Sequence, residues 1–157
     1  MSPISALILV LVLVSGTTVL GLFWRSRQGR PIVVTPAAPE ALGVPDALTP
    51  ADVSSRVPFG ANATLVQFST SHCARCPGTQ VLLAGLARSR PGVAHLDVDL
   101  THRRDLANRF GILQTPTTLI LDGTGQVRAR IGGVPNRAGV LRQLDDLTGS
   151  SHAQFAR

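Results

Sequence analysis

The chain of 157 residues contains no lysine, so its formal net charge of +6 comes from arginine alone. These arginines are scattered along the sequence, and aromatic residues make up only 4% of it. A surface that binds nucleic acid concentrates basic side chains in one patch or stripe and adds aromatic side chains for stacking. We therefore expect no nucleic-acid partner.

Cysteine is also scarce, since Cys73 and Cys76 are the only two in the chain. A structural zinc ion takes four ligands, so this pair would need histidines such as His72, His95 or His102 to complete a site. We therefore expect no metal and no cofactor beyond the cysteine pair itself. The alternative to a functional pair is two small buried apolar residues, because free cysteine is among the most buried residue types.

Charged residues are few as well, at 15% of the sequence, and residues 4–24 contain none. As a helix this run would be about 31 Å long, which matches the roughly 30 Å thickness of the hydrocarbon layer. Phe23 and Trp24 at its end would lie at the level of the lipid headgroups. The sequence predicts a single transmembrane helix. A cleaved signal peptide is the alternative, but it would have a basic start and a shorter apolar run.

Arg25, Arg27 and Arg30 follow the predicted transmembrane helix, whereas no arginine precedes it. Cytoplasmic loops of membrane proteins carry the excess of lysine and arginine. We therefore predict that the C-terminal domain faces the cytoplasm, with an extracytoplasmic domain as the alternative.

Prolines recur in residues 25–47 without any helical or strand period. Such a segment forms a semi-stiff spacer, although Ile32-Val33-Val34 could join a sheet as an edge strand. The folded domain is predicted at 48–148, with a turn or helix entrance at Pro50. Residues 149–157 are interpreted as a flexible tail.

Apolar periodicity in the domain predicts an α/β fold with the element order β-α-β-α-β-β-α. Strands are predicted at 63–68, 95–100, 117–121 and 127–131, with the last two forming a hairpin. The alternation in the second strand makes His95 an ordinary solvated or edge residue. Three helices are predicted. The first begins at Cys73, with a first turn that Pro77 alters. The second is capped by Thr101 and ends at Gly111, and the third is capped by Asn136.

The cysteine pair therefore lies where the first domain strand gives way to a helix. Two thiols at this spacing can close a disulfide ring and reopen it. The unpaired N–H groups and the positive dipole at a helix N-terminus favour thiolate, which makes Cys73 the predicted nucleophile. Arg75, and His72 when protonated, would add positive charge beside it.

The element order and the cysteine pair, together with the segment Phe110–Thr117 and Gly132, resemble the thioredoxin family. The resemblance covers about two-thirds of the chain, from Leu48 to Leu147, and implies a central mixed sheet flanked by helices. It also implies a cis peptide bond between Thr115 and Pro116 beside the cysteines, with the Thr115 backbone pairing to the substrate. An ordinary trans proline entering an edge strand is the alternative.

Three positions depart from the thioredoxin pattern. Gln67 stands where the family has a buried aspartate, and His72 stands where it has a tryptophan. Ala74-Arg75 replaces Gly-Pro between the cysteines. We expect fold and chemistry to survive these changes, while rate, potential and partner choice differ.

The sequence thus predicts a membrane-anchored thiol–disulfide oxidoreductase that reduces protein disulfides. Cys73 would attack the substrate disulfide and Cys76 would resolve the mixed disulfide, with electrons supplied by an unidentified reductase. His72, Arg75, Thr115 and Pro116 are the predicted substrate contacts. The alternatives are an extracytoplasmic reductase or isomerase of exported proteins, and a redox-silent binding module tethered to the membrane.

Overall fold

The computed structural model describes residues 3–27, 32–33, 47–53, 55 and 57–154. Its helices are α1 (Pro3–Arg27), α2 (Cys76–Arg88), α3 (Arg104–Arg109) and α4 (Arg137–Gln154). Its strands are β1 (Ile32–Val33), β2 (Ala63–Ser69), β3 (Val93–Asp99), β4 (Thr117–Asp122) and β5 (Val127–Gly132). The predicted order of domain elements is confirmed.

The five strands form one mixed sheet in the order β1-β5-β4-β2-β3. β2 and β3 are parallel, because α2 carries the chain back between them, and the other neighbours are antiparallel. Ile32 and Val33 pair with Arg130 and Ala129 of β5, so this part of the predicted spacer forms an edge strand. Val34 lies outside the described residues.

β2 is buried along its whole length because the sheet is covered on both faces. On one face, Val66 and Phe68 pack in a cluster that includes Leu106 and Phe110 of the α3 region. On the other face, Leu65 belongs to a cluster formed with α2 and α4. Each fully buried side chain of this size contributes about 1.5–3 kcal/mol. The central strand therefore holds both layers together.

The predicted hairpin between β4 and β5 is confirmed. Asp122 Oδ1 accepts hydrogen bonds from the Thr124 N–H at 2.9 Å, the Thr124 hydroxyl at 2.6 Å and the Gln126 N–H at 3.1 Å. Gly125 completes the turn with a φ of 85°, which glycine adopts without strain. The predicted turn at Pro50 is a 3₁₀ helix, Pro50–Val53.

The predicted helix ends agree with the structure in two places. Asn136 caps α4, since its Oδ1 accepts hydrogen bonds from the N–H groups of Ala138 at 2.9 Å and Gly139 at 3.3 Å. Gly111, with a φ of 55°, follows the end of α3 as expected of a C-terminal glycine.

One expectation about helix ends is wrong. Thr101 does not cap α3, which begins at Arg104 and has no side-chain cap. α4 continues to Gln154, into the segment predicted as a flexible tail. Gly149 does not end this helix, because a single glycine costs a helix only about 1 kcal/mol.

The stretch Pro3–Phe23 of α1 is long and apolar enough to cross a membrane, and a signal sequence near an N-terminus would have the same properties. Its hydroxyl groups bond within the helix: Ser15 donates to the Leu11 carbonyl at 2.7 Å and Thr18 to the Val14 carbonyl at 2.7 Å. Such internal bonds satisfy polar groups that hydrocarbon cannot solvate.

Arg130 of β5 connects the sheet to the C-terminal end of α3. Its guanidinium donates to the carbonyl oxygens of Phe110 at 2.9 Å and Gly111 at 2.6 Å. Partial burial lowers the pKa of Arg130, which nevertheless remains charged. The cation thus binds the last carbonyls of the helix and fixes the start of the loop that leads to Pro116.

We predict that Arg130→Met destabilises the domain by about 1–3 kcal/mol, because two charge-assisted hydrogen bonds are lost while the apolar stem is kept. Urea-induced unfolding of the full chain measures this change. Arg128→Met on the same strand is the control, since the ion pair of Arg128 with Asp122 is long, at 3.9 Å, and its loss should change stability by about 0.5 kcal/mol or less. Equal effects of the two substitutions would contradict the proposed role of Arg130.

Candidate redox site

Cys73 and Cys76 form a disulfide at the point where β2 leads into α2. Their Cα atoms are 5.4 Å apart, within the usual range for a disulfide. Cys73 is half-buried, whereas Cys76 is only 4% exposed. The first cysteine is therefore the more accessible of the two.

α2 begins at Cys76 and not, as predicted, at Cys73. The residues before it form tight turns, in which the Cys73 N–H donates to the Thr70 carbonyl at 3.1 Å and the Cys76 N–H to the Cys73 carbonyl at 3.1 Å. The cause is Pro77 in the first turn, because proline has no N–H to bond back to the Cys73 carbonyl. The disulfide still lies at the N-terminus of α2.

Gln67 lies beneath the second cysteine and is fully buried. Its Nε2 donates to the carbonyl oxygen of Cys76 at 3.1 Å. Thr118 lies directly opposite on β4, and both Gln67 Oε1 and Thr118 Oγ1 lack a hydrogen-bond partner among the described residues. An amide and a hydroxyl do not ionise at neutral pH, so these two groups make the site polar without adding charge.

The loop before β4 lies beside the loop that carries the cysteines. The Thr115–Pro116 peptide bond is cis, and Thr115 Oγ1 is 3.3 Å from Thr70 Oγ1. The Pro116 carbonyl accepts a hydrogen bond from the Gly133 N–H at 2.8 Å. Among the described residues, the backbone N–H and carbonyl of Thr115 have no hydrogen-bond partner.

Thr101 holds the residues that precede Cys73, a role that the sequence did not reveal. Its Oγ1 accepts a hydrogen bond from the Ser71 N–H at 2.9 Å and donates to Asp99 Oδ1 at 2.5 Å. The hydrogen bonds from Thr101 lower the pKa of the Asp99 carboxyl. The only sequence signal was a threonine following the second domain strand, which fits a helix cap equally well.

His72 and Arg75 are both exposed next to the disulfide. His72 Nδ1 lies 3.0 Å from Ser71 Oγ, within hydrogen-bond distance. The Arg75 carbonyl accepts hydrogen bonds from the N–H and the hydroxyl of Thr79, each at 3.2 Å. The charge of Arg75 thus lies on the surface, where solvent screens it.

His95 is half-buried in β3, which is an edge strand of the sheet. It pairs in register with Leu65, away from the cysteine end of β2. Its Nε2 is buried without a partner among the described residues, and burial lowers its pKa against the opposing effect of Asp97. Among all the residues that the structure describes, no group of three or more His, Cys, Asp or Glu side chains could hold a metal ion.

Comparison with solved structures identifies the architecture. A point-mutant thioredoxin from Halobacterium salinarum is 18% identical; the match covers 55% of this chain and 75% of that protein, with a TM-score of 0.50. The domain has the thioredoxin fold. A designed protein matches with 21% identity over 62% of this chain and 86% of its own, also with a TM-score of 0.50. No protein-family model and no curated protein matches the sequence.

Within the thioredoxin fold, four of the predicted site residues come together. Cys73 and Cys76 form the disulfide, and the loop of Thr115 and Pro116 is joined to the cysteine loop through Thr70. His72 and Arg75 flank the disulfide on its exposed side. The buried side chain beneath the disulfide is that of Gln67.

We predict that Gln67→Glu makes stability depend on pH. Burial raises the pKa of the introduced carboxyl above its usual value of about 4.3. Below pH 4 the neutral acid can still donate to the Cys76 carbonyl. As pH rises, the introduced carboxyl ionises in the unfolded chain before it ionises in the folded one. The free energy of unfolding therefore falls by about 1.4 kcal/mol for each unit by which the folded-state pKa exceeds the unfolded-state pKa.

Urea-induced unfolding at pH 4 and pH 8 measures this effect as the stability difference between the variant and the unsubstituted chain. Gln80→Glu is the matched control, because Gln80 is exposed on α2 and its replacement should give nearly the same difference at both pH values. A difference that stays constant for Gln67→Glu would show that the introduced carboxyl ionises freely.

Proposed function

We propose that this chain is a thiol–disulfide oxidoreductase that reduces protein disulfides through Cys73 and Cys76. The observation that supports this most directly is the disulfide itself, with an accessible Cys73 and a buried Cys76 at the N-terminus of a helix. A helix N-terminus stabilises a thiolate, and the thiolate is the attacking species in disulfide exchange. A purely structural disulfide would not need this placement.

In the proposed reaction the reduced Cys73 thiolate attacks one sulfur of the substrate disulfide. A new bond forms between Cys73 and that sulfur, and the other substrate sulfur leaves as a thiolate that takes up a proton. Cys76 then loses its proton and attacks Cys73 Sγ, which releases the second substrate thiol. The substrate gains two electrons and two protons, and the chain returns to its disulfide form.

The substrate polypeptide would run along the loop of Thr115 and Pro116. The backbone groups of Thr115, which lack partners among the described residues, would pair with it as an added strand. His72 and Arg75 would contact the same polypeptide from the exposed side of the disulfide. A dithiol reductase, whose identity the sequence does not give, would supply electrons for the next cycle.

We further propose that α1 anchors the domain in a membrane by one span, with the domain in the cytoplasm. The length and apolar composition of Pro3–Phe23 support the span. The arginines that follow it support the cytoplasmic side. In a reducing compartment, reduction of substrates is the expected direction.

We predict that Cys76→Ser traps the proposed intermediate. Attack by Cys73 remains possible, but no thiol can resolve the product, so mixed disulfides with substrate proteins accumulate. Non-reducing gel electrophoresis of cell extracts should show these adducts and their loss on reduction. Cys73→Ser is the control and should give none; adducts with Cys73→Ser alone would mean that the two roles are reversed.

The proposed orientation has its own test. A reporter fused after Arg157 should be active if it works only in the cytoplasm and inactive if it works only after export. Substituting Arg25, Arg27 and Arg30 together by glutamine should weaken this preference. Activity of the export-dependent reporter in the unsubstituted fusion would place the domain outside and favour action on exported proteins.

A further inference from the structure

β3 forms one edge of the sheet, and among the residues that the structure describes no strand pairs with its outer side. β3 is seven residues long, as long as the central strand β2, and it pairs with β2 without a register shift. Proteins commonly protect an edge strand by making it short, by a proline or by a bulge. β3 has none of these features, so its length and regularity are those of a strand that pairs on both sides.

The backbone groups on the outer side of β3 belong to alternate residues. The N–H of Leu100, just past the end of the strand, donates to the Ser69 carbonyl of β2 at 2.8 Å. In a parallel pair every second residue bonds to the neighbouring strand, so the residues at an even distance from Leu100 bond to β2. His95 and Asp97 lie at odd distances, and their backbone N–H and carbonyl groups therefore point to the outer side.

The acidic side chains of β3 both lie in its second half. Asp97 and Asp99 are exposed there, whereas the first half carries the half-buried His95 and no acidic residue. Parallel pairing in register with a second copy of β3 would set each carboxylate opposite its own equivalent, which is destabilising. Antiparallel pairing centred on Leu96 sets Asp97 opposite His95 of the other copy and Asp99 opposite Val93. The strand is therefore complementary to itself in this one arrangement.

We propose that β3 pairs with β3 of a second copy of this chain, antiparallel and centred on Leu96, to form a dimer. In this register all seven residues of the strand find a partner. The backbone groups of His95 exchange two hydrogen bonds with those of Asp97 in the other copy, and the symmetry repeats this pair. A register centred on Asp97 would bring two carboxylates together, and one centred on His95 would pair fewer residues. This inference goes beyond the proposed reductase function and does not depend on it.

The dimer keeps both disulfides accessible. β3 runs parallel to β2, so the disulfide lies beyond the C-terminal end of both strands. Antiparallel pairing of two copies of β3 places the two disulfides at opposite ends of the joined sheet. The membrane span proposed for α1 would confine the copies to one layer, and the higher effective concentration allows an interface of one strand to suffice.

The test places one new cysteine in each of two co-expressed full-length chains, both of which carry Cys73→Ser and Cys76→Ser. One chain carries His95→Cys and the other Asp97→Cys. In the proposed register these two positions have Cα atoms about 5.5 Å apart, within the disulfide range, whereas equivalent positions in the two copies are diagonal neighbours at about 7–8 Å. After mild oxidation of the membranes, the disulfide-linked dimer should be at least about five-fold more abundant for the mixed pair than for either chain alone.

Two further substitutions in the His95→Cys chain test whether the backbone makes the contact. Asp97→Pro removes an outward N–H that β2 does not use, so the domain should still fold, but the yield of cross-linked dimer should fall at least about five-fold. Asp97→Asn is the matched control, because it keeps the N–H and should lower the yield by about two-fold or less. Urea-induced unfolding of each variant shows whether the domain has remained folded.

Each of the other outcomes overturns a stated part of the proposal. A dimer that forms best with His95→Cys alone or Asp97→Cys alone would overturn the register centred on Leu96. Folded variants that give no dimer in any combination would overturn the pairing itself, which is the result expected if residues 34–46 or another protein cover the edge. Equal yields with Asp97→Pro and Asp97→Asn would show that the backbone of β3 does not form the interface.

Discussion

β2 is covered on both faces, and this double burial determines where the cysteines lie. Leu65, Val66 and Phe68 have no measurable exposure, so the strand cannot slide or change register without exposing one core cluster. The C-terminal end of β2, and with it the loop that carries Cys73, is therefore fixed in position at one end of the sheet. The loop before Pro116 lies at the same end of the sheet because β4 begins there, antiparallel to β2.

The two buried polar side chains beneath the disulfide, Gln67 and Thr118, are both uncharged. A carboxylate at the position of Gln67 would disfavour a thiolate nearby and would itself be costly to bury. The amide avoids both costs, and its Nε2 still fixes the carbonyl of Cys76. The permanent charge next to the disulfide is instead on the surface, at Arg75. The buried amide therefore holds the second cysteine without adding charge beneath the disulfide.

Sequence reasoning succeeded where the deciding interactions are local. The alternation that predicts β3 and the Asn136 cap involve residues within a few positions of one another. It failed at Thr101, whose partner Ser71 is 30 residues away and joins it only in the folded domain. The start of α2 could be predicted only in part. Pro77 showed that the first turn is altered, but only the turns around Cys73 show that the helix begins later.

Arg130 and the edge strand β1 are non-local in the same way. The sequence contains no signal that Arg130 binds the end of α3, because Phe110 and Gly111 are 20 and 19 residues away. Pairing of Ile32 and Val33 with β5 could be stated only as an option, since an edge strand is chosen by the sheet it joins. Patterns of burial therefore predicted the fold, while the contacts that tune the site required the structure.

The position of β1 also determines how the domain responds to a pulling force on α1. It lies in the chain between α1 and the rest of the domain, and among the described residues two of its members, Ile32 and Val33, pair with β5. Tension along the chain from α1 loads this main-chain pairing before it reaches the two core clusters. If β1 detaches, the other four strands keep their own pairing, and each released residue adds at most about 3.3–3.6 Å of reach. Under such tension the edge strand is therefore the first part of the sheet expected to detach.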